Sequence, residues 1–294
     1  MTVSIRQALD QATTALVLSD SARLDAEVLL AFVLGKSRSF LFSRPESVLS
    51  GEQSAAFAAF VARRAAGEPV AYLTGCRGFW TLDLQVTPAV LIPRPETELL
   101  VELTLTLGQQ VSADDPGRAM VVADLGTGSG AIALALASER QHWQVYATDR
   151  SEQALVVARQ NAVRLRLDGV SFTQGDWCEA LPAAVCFDMI VSNPPYIADD
   201  DPHLQQGDLL FEPRAALVAD GRGLRDLAII CEQSRLRLRD GGYLLLEHGH
   251  EQGADVRALL TTQGFAGVRS ERDLAGHERV TLGRHAAPGE NTHA

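Results

Sequence analysis

The sequence of 294 residues predicts an α/β protein, in which a doubly wound, mainly parallel sheet follows a small N-terminal helical domain. Residues 119–284 alternate between short apolar runs typical of strands and longer amphipathic segments typical of helices, as chains with parallel sheets do. Residues 1–75 show only the helical spacing of apolar side chains. Segments 265–270 and 279–282 have no clear helix between them, so we expect them to pair antiparallel at one edge of the sheet.

The N-terminal region is predicted to contain three helices. Ser4 and Gln7 have the spacing of a capping box at the start of the first helix. The second runs from Ser21 or Ala22 to Leu34, and the third ends near Gly67. No catalytic cluster occurs here, so this region is either a purely structural bundle or a domain that docks the substrate, and we favour docking.

A linker is predicted between the two regions. Residues 79–86 alternate apolar and polar side chains as one half-exposed strand, which could form a hairpin with residues 89–91. The prolines and charges of residues 92–98 indicate a turn into a helix that ends near Gly108, and residues 109–117 are predicted to be a loop.

The remaining elements follow from periodicity. Ligands of doubly wound sheets bind outside the carboxyl ends of the strands, so these ends are where we expect the site. Strands are predicted at 119–125, 143–149, 170–173, 187–193 and 242–247, and helices at 131–140, 152–167, 224–239 and 253–262.

Composition narrows the class of protein. The 46% hydrophobic and 21% charged residues are typical of an ordinary globular protein, and no apolar run reaches the ~18 residues that suggest a membrane span. We find no signal peptide pattern, and the four scattered cysteines favour free thiols, so we predict a cytoplasmic protein. The net charge of −11 argues against duplex DNA or RNA as the main partner.

A glycine-rich loop follows the first strand of the sheet, where the residues are Gly126, Thr127, Gly128, Ser129 and Gly130. Glycines allow a tight turn and the close approach of a ligand, and the helix that follows favours an anionic group at its N-terminus. The loop also fits a dinucleotide fingerprint, so the glycines alone do not choose between cofactors. Asp149, at the end of the second strand, is placed to bind ribose hydroxyls, or else it only caps the next helix.

Two further strand ends carry candidate residues. After the third strand, Asp176 could bind an adenine amino group and Trp177 could stack on its ring, although a loop with a partly buried Trp is an equally good interpretation. After the fourth, Asn193, Pro194, Pro195 and Tyr196 give a stiff strand end, since proline has no N–H with which to continue a sheet. The Asn193 oxygen and a proline-flanked carbonyl could together hold an NH2 group.

The segment Glu247-His248-Gly249-His250 has too few ligands at a recognised spacing for a metal site, and we predict a solvated loop and no metal. Cys178 and Cys186 have no nearby His that would suggest a nucleophile.

The glycine loop, Asp149 and N-P-P-Y together resemble class I S-adenosylmethionine-dependent methyltransferases that act on nitrogen. Three more segments narrow the resemblance to the bacterial release factor glutamine methyltransferases (the PrmC/HemK family), which the chain resembles from about residue 4 to 283. These segments are G-E-P-V-A-Y-L-T-G at 67–75, I-P-R-P-E-T-E at 92–98 and F-E-P-R-A-A-L at 211–217. N-P-P-Y alone is shared with adenine-N6 methyltransferases, and His250 stands where the family usually has an aromatic residue.

The resemblance implies N5-methylation of the glutamine in the Gly-Gly-Gln motif of class 1 peptide chain release factors, with S-adenosylmethionine as methyl donor. It implies a docking domain at 1–75, a hairpin linker at 76–91, a methyltransferase domain at 92–284 and a disordered tail at 285–294. A monomer is expected, with no membrane and no sequence-specific nucleic acid as partner. The implied catalytic residues are Asn193, Pro194 and Tyr196, which with Pro195 also bind substrate; the implied cofactor-binding residues are Gly126, Thr127, Gly128, Ser129, Gly130, Asp149, Asp176, Trp177 and Asn193.

Two other function classes stay open at this point. An adenine-N6 nucleic-acid methyltransferase would need a basic target-recognition region, for which neither charge nor length leaves obvious room. A nicotinamide-dependent dehydrogenase, or a nucleotide-binding module without activity, is compatible with the glycine loop but leaves N-P-P-Y unexplained.

Overall fold

The computed structural model describes residues 3–114 and 118–286. They form two compact units, the first made of residues 3–76 with 205–211 and the second of residues 77–204 with 212–286. Residues 205–211 therefore belong to the helical unit, although they lie inside the range 92–284 predicted for the methyltransferase domain. Among the described residues, no helix is both long and apolar enough to cross a membrane.

The first unit is helical. Its helices are α1 (Ile5–Ala15), α2 (Ala22–Leu34), α3 (Arg38–Ser43), α4 (Gly51–Ala65) and α5 (Val70–Thr74). The Ser4–Gln7 capping box is present, and Gly35 ends α2 with a left-handed φ of +58°. The sequence prediction missed α3 and α5 because five or six residues are too few to establish a helical period.

An ion-pair network fastens residues 205–211 to this unit. Arg64 is largely buried and pairs with Asp25 at 2.8 Å and with Asp208 at 2.9 Å. Its guanidinium also donates to the Gly67 and Glu68 carbonyls. The G-E-P segment and residues 205–211 are thus tied to the same side chain of α4.

A hairpin follows, made of β1 (Cys76–Phe79) and β2 (Leu82–Gln85); all of its residues except Cys76 belong to the second unit. The prediction of one strand over residues 79–86 is wrong, because the chain turns at Trp80, whose φ is +56°. Glu98 accepts a hydrogen bond from the Trp80 backbone N–H at 2.8 Å, and Glu139 accepts one from its indole N–H. Alternating polarity could not reveal a turn that distant carboxylates stabilise.

The main sheet has seven strands in the order β5-β4-β3-β6-β7-β9-β8. β9 runs antiparallel to both β7 and β8, as predicted for the end of the chain, and the other pairs of neighbouring strands are parallel. The strands are β3 (Val121–Leu125), β4 (Gln144–Asp149), β5 (Ser171–Gln174), β6 (Phe187–Ser192), β7 (Leu238–Glu247), β8 (Phe265–Arg272) and β9 (Glu278–His285).

Helices cover both faces of this sheet. Alternate residues of the central strands enter two different cores: Val122 packs with one cluster, whereas Val121 and Ala123 pack with the other. The helices are α6 (Glu98–Asp114), α7 (Ala131–Glu139), α8 (Glu152–Leu165), α11 (Arg225–Arg235) and α12 (Gly253–Thr262), with the short turns α9 (Arg214–Leu217) and α10 (Asp220–Gly223).

The largest differences from the predicted boundaries occur at three places. Helix α6 continues to Asp114, so the loop predicted from residue 109 is wrong up to that point. Helix α11 ends at Arg235 and β7 begins at Leu238, because Arg239 is drawn into ion pairs with Asp188 of β6. His285 ends β9, and positions 287–294 of the predicted tail lie outside the described residues, as do positions 115–117.

Candidate active site

A pocket lies where the carboxyl ends of the central strands of the second unit meet. Leu125 of β3 stands in register with Ser192 of β6 and with Thr148 of β4, so the segments that follow these strands share one rim. Seven predicted residues line the pocket: Gly126, Gly128, Asp149, Asp176, Trp177, Asn193 and Pro195. Ten lining residues were not predicted: Ala89, Val90, Leu91, Arg150, Ser151, Ala154, Gly175, Pro213, Ala215 and Ala216.

The glycine loop takes a conformation that side chains rarely adopt. Gly126, Gly128 and Gly130 have φ values of +73°, +56° and +86°. No heavy atom lies within 4 Å of the point where a Cβ on Gly128 would stand, so the pocket is open beside this backbone. Thr127 and Ser129 are buried and do not line the pocket, and Gly130 precedes α7.

Asp124 stabilises the glycine loop through hydrogen bonds, although it was not among the residues predicted from the sequence. Its Oδ2 accepts a hydrogen bond from the Thr127 hydroxyl at 2.6 Å and another from the Ala133 N–H at 3.1 Å. Its Oδ1 is buried without a partner among the described residues. Burial raises the pKa of Asp124 to about 7. An acid inside a wholly apolar strand directly before the glycines was the signal available in the sequence.

Asp149 joins the second strand end to the glycine loop. Its Oδ2 accepts from the Gly128 N–H at 2.9 Å, and its Oδ1 accepts from the Ser151 N–H at 2.8 Å. Burial raises the pKa of Asp149, and these two hydrogen bonds oppose the rise. Since each carboxylate oxygen has two lone pairs, both oxygens keep acceptor capacity for a ligand.

Trp177 and Asp176 follow β5 at the rim of the same pocket. Trp177 is half-buried with φ +44°, and its ring lies 3.1 Å from the point where a Cβ on Gly126 would stand. Gly126 therefore has a steric reason to be glycine, beyond the backbone turn. Asp176 is exposed.

Asn193 directly follows β6 and presents one side of its amide to the pocket. Its Nδ2 donates to the Thr97 hydroxyl at 3.1 Å. Among residues 3–114 and 118–286, no donor reaches the Asn193 Oδ1 or the Pro194 carbonyl. The pocket-lining Asn193 Oδ1 and the carbonyl of the buried Pro194 thus both have unused acceptor capacity.

Pro194 and Tyr196 do not line the pocket. Pro194 is buried, and the Tyr196 hydroxyl is 3.5 Å from Glu247 Oε1. Burial next to this carboxyl group raises the pKa of Tyr196. Gln252, the residue directly before α12, donates to the Tyr196 carbonyl at 3.0 Å and so holds the end of the N-P-P-Y segment.

The I-P-R-P and F-E-P segments contact each other. Glu212, whose side chain is fully buried, accepts hydrogen bonds from the Ile92 backbone N–H and from the Arg94 guanidinium. Arg150, after β4, donates to the Ala215 carbonyl at 3.1 Å. These bonds place residues 89–91 and 213–216 along the pocket. The two segments are far apart in the chain, so the sequence did not indicate that they line the same site.

The solvated loop predicted for residues 247–250 is wrong for its first half. Glu247 and His248 are both buried: Glu247 is the last residue of β7, where the predicted strand also ends, and the His248 backbone N–H continues the pairing by donating to the Arg279 carbonyl of β9 at 3.0 Å. His248 is bound through Nδ1 to the Gly249 carbonyl and through Nε2 to the Thr281 hydroxyl, each at 2.8 Å. The described residues contain no group of His, Cys, Asp or Glu side chains arranged to hold a metal ion.

Comparison with known proteins identifies the family. Residues 7–75 match the PrmC N-terminal domain, and residues 116–263 match a methyltransferase domain. The release factor glutamine methyltransferase of Pseudomonas aeruginosa is 53% identical over 268 residues, which is 91% of this chain and 94% of that protein. The chain belongs to the release factor glutamine methyltransferase family. The resemblance drawn from the motifs is thereby confirmed.

Other family members cover even more of the chain. The release factor glutamine methyltransferase of Vibrio cholerae is 47% identical over 99% of this chain and all of its own length, and that of Escherichia coli is 49% identical over 94% and 97%. A protein of this family is a methyltransferase, so the alternative of a nicotinamide-dependent dehydrogenase is excluded.

Solved structures confirm the predicted fold class. A methyltransferase from Pyrococcus furiosus has a TM-score of 0.52 at 18% identity and covers 77% of this chain and 98% of its own. The hMettl16 catalytic domain, solved in complex with an RNA hairpin, has a TM-score of 0.56 at 17% identity, with coverages of 78% and 82%. At such identities the likeness concerns the fold alone.

Proposed function

We propose that this protein transfers a methyl group from S-adenosylmethionine to the side-chain nitrogen of the glutamine in the Gly-Gly-Gln motif of class 1 peptide chain release factors. The observation that carries the proposal is the pair of free acceptors, Asn193 Oδ1 and the Pro194 carbonyl, beside a pocket lined by the glycine loop. The relatives are release factor glutamine methyltransferases, and the side-chain NH2 group of a glutamine carries the two hydrogens that this pair of acceptors would bind.

The pocket fits the cofactor. The open backbone at Gly128 would let a ligand approach, and the first turn of α7 favours its carboxylate. Asp149 would hold the ribose hydroxyls, because both of its oxygens keep acceptor capacity. Asp176 and Trp177 would take the amino group and the face of the adenine. When bound, S-adenosylmethionine supplies an electrophilic methyl carbon, so that a nitrogen–carbon bond forms while the sulfur–carbon bond breaks and sulfur keeps the electron pair.

The residues after β6 have a defined task in this reaction. An amide nitrogen is a poor nucleophile because its lone pair is delocalised into the carbonyl group. Asn193 Oδ1 and the Pro194 carbonyl would each accept one amide hydrogen, which fixes the nitrogen and favours the positive charge that develops on it. One of these hydrogens then leaves as a proton to solvent. Tyr196 would not contact the substrate. Its hydroxyl group contacts Glu247, and this contact would hold the N-P-P-Y segment in place.

The helical unit would dock the release factor. It contributes no residue to the pocket, but it exposes two consecutive large apolar side chains, Val17 and Leu18, which are 80% and 91% exposed. Exposed apolar groups of this kind favour contact with another protein.

The deciding experiment offers labelled S-adenosylmethionine, a release factor and adenine-containing DNA to the full chain. We expect label on the release factor alone, and none on a release factor whose Gly-Gly-Gln is changed to Gly-Gly-Ala. Asn193→Ala should lower single-turnover methylation by about 10²-fold, by analogy with the loss of one preorganised stabilising group, with a much smaller change in cofactor affinity. Label on DNA would support the adenine-N6 alternative instead, and near-wild-type turnover of the variant would overturn the role of Asn193.

A further inference from the structure

Glu212 is a buried acid that the reaction described above does not use. Its side chain is fully buried, and its two oxygens accept hydrogen bonds from different groups, one from the Ile92 backbone N–H at 3.2 Å and one from the Arg94 guanidinium. Burying a carboxylate is costly, and the attraction to its partner offsets that cost without much net gain in stability. The residues that Glu212 binds indicate instead that it fixes the geometry of the site.

The hydrogen bond between Glu212 and Ile92 joins two walls of the cofactor pocket. Residues 89–91, directly before Ile92, line the pocket, and so do residues of the segment 213–216, directly after Glu212. Ala215 is exposed to solvent as well as to the pocket, so this second wall has no core behind it and depends on its anchors. The position of Glu212 therefore sets the distance between the two walls.

The segment that Glu212 binds is stiff. Pro93 and Pro95 each have a φ restricted to about −65°. The Thr97 backbone N–H donates to the Arg94 carbonyl at 3.1 Å, which closes a short turn at the end of the segment. The backbone of residues 92–97 therefore has few ways to move one end without moving the other.

The other end of residues 92–97 holds Asn193. Thr97 is 4% exposed, and its hydroxyl accepts a hydrogen bond from Asn193 Nδ2 at 3.1 Å. This bond occupies the NH2 side of the amide and leaves Oδ1 for the substrate nitrogen. One stiff segment thus touches the wall of the cofactor pocket at its start and the acceptor amide at its end.

We propose that Glu212 is a positioning residue with two effects: it fixes the walls of the cofactor pocket directly, and it fixes the Asn193 amide through residues 92–97. The effect on turnover rests on the proposed function, whereas the position of the amide is a property of this chain alone.

The first test measures cofactor affinity. Glu212→Gln keeps the shape of the side chain but turns an NH2 group toward one of the two donors, Ile92 N–H or Arg94. Calorimetry should show S-adenosylmethionine binding weakened by about tenfold or more, the value of one hydrogen bond to a charged group. Glu278→Gln, which breaks the pair with Arg257 between α12 and β9, is the matched control and should bind as wild type does. Wild-type affinity in a folded Glu212→Gln variant overturns the proposal.

The second test is a double-mutant cycle on single-turnover methylation at saturating cofactor. Thr97→Val removes the hydroxyl that binds Asn193, so turnover should fall by about tenfold with cofactor affinity unchanged, and Thr97→Ser should restore it. Glu212→Gln should also lower turnover, but adding it to Thr97→Val should lower turnover no further, because both act through the same bond. Reductions that multiply would mean that Glu212 does not act through Thr97, and the proposal would fail.

The third test does not depend on catalysis or on the cofactor. Nitrogen-15 NMR of the full chain should contain an Asn193 side-chain amide signal, assigned by its absence in Asn193→Ala. Thr97→Val and Glu212→Gln should both shift this signal, and Glu278→Gln should not. An unshifted signal in Glu212→Gln refutes the proposal. If that variant does not fold, Arg94→Lys, which keeps a charge opposite Glu212, replaces it in all three tests with the same expected directions. A wild type that does not methylate glutamine would refute the proposed function, and this spectrum would still decide what holds the amide.

Discussion

The side-chain amide of Asn161 in α8 donates to the carbonyl of Ser129 in the glycine loop at 2.9 Å. The same amide exchanges two hydrogen bonds with the backbone of Gln85 in the hairpin, accepting at 2.7 Å and donating at 2.9 Å. Asn161 is fully buried, and its bond to Ser129 is shielded from water, whereas the two bonds to the exposed residue Gln85 are partly buried. The hairpin and the glycine loop are therefore held in place by one side chain that lies outside both.

Replacing Asn161 should test this relationship. An ionised Asn161→Asp side chain cannot donate to either carbonyl, so the buried Ser129 carbonyl loses its partner, at about 1–3 kcal/mol of unfolding free energy, and the partly buried Gln85 carbonyl loses its own at a smaller cost. We expect lower stability in urea unfolding and weaker S-adenosylmethionine binding by calorimetry. Gln174→Ala, which alters an exposed amide at the end of β5, is the matched control. Unchanged cofactor affinity in a folded Asn161→Asp variant would separate the hairpin from the function of the loop.

Asp149 provides a direct test of the cofactor assignment. Asp149→Ala should weaken S-adenosylmethionine binding by about 1.5–3 kcal/mol, the range for hydrogen bonds to a charged group, because the ribose hydroxyls and the Gly128 N–H lose the same acceptor. Calorimetry measures the change. Asp168→Ala removes an exposed carboxylate and should have no effect. Wild-type affinity in a folded Asp149→Ala variant would remove Asp149 from the site.

Asp124 predicts a pH dependence of stability. Its pKa of about 7 in the folded state lies above the ordinary value of 3.8, so the folded chain binds the proton more tightly than the unfolded chain. This contribution is fully present below pH 3.8 and is lost as the pH rises to 7, on the order of 4 kcal/mol in all. Asp124→Asn lacks the ionisation, so its stability relative to wild type should improve across that window.

Urea unfolding between pH 4 and 8 measures this difference. Asp240→Asn, at an exposed position of the same sheet, controls for the loss of one charge and should show no such trend. If the difference between Asp124→Asn and wild type stayed constant over the whole range, Asp124 would be ionised in the folded protein throughout.

Local sequence signals predicted the parts of the site that lie within a single strand end. The glycine loop, Asp149 and Asn193 each follow a buried strand, and a sheet with parallel strands brings such ends together. What supports them depends on contacts across the chain: Asn193 bonds to Thr97, 96 residues away, and Asn161 to Gln85, 76 residues away. No periodicity encodes such pairs, and this is why Thr97 and Asn161 were not among the predicted site residues.

The docking role of the helical unit can be tested with two substrates. Leu18→Asp places a charge on the apolar turn after α1, and burying a leucine at an interface contributes about 1.5–3 kcal/mol, so kcat/KM for a whole release factor should fall by about tenfold or more through KM. Methylation of a short Gly-Gly-Gln peptide should not change, because the peptide reaches only the pocket. Leu274→Asp makes the same change at a fully exposed residue between β8 and β9 and should affect neither substrate. An equal loss with both substrates would indicate damage to the catalytic unit, and no loss with the whole factor would exclude this turn from docking.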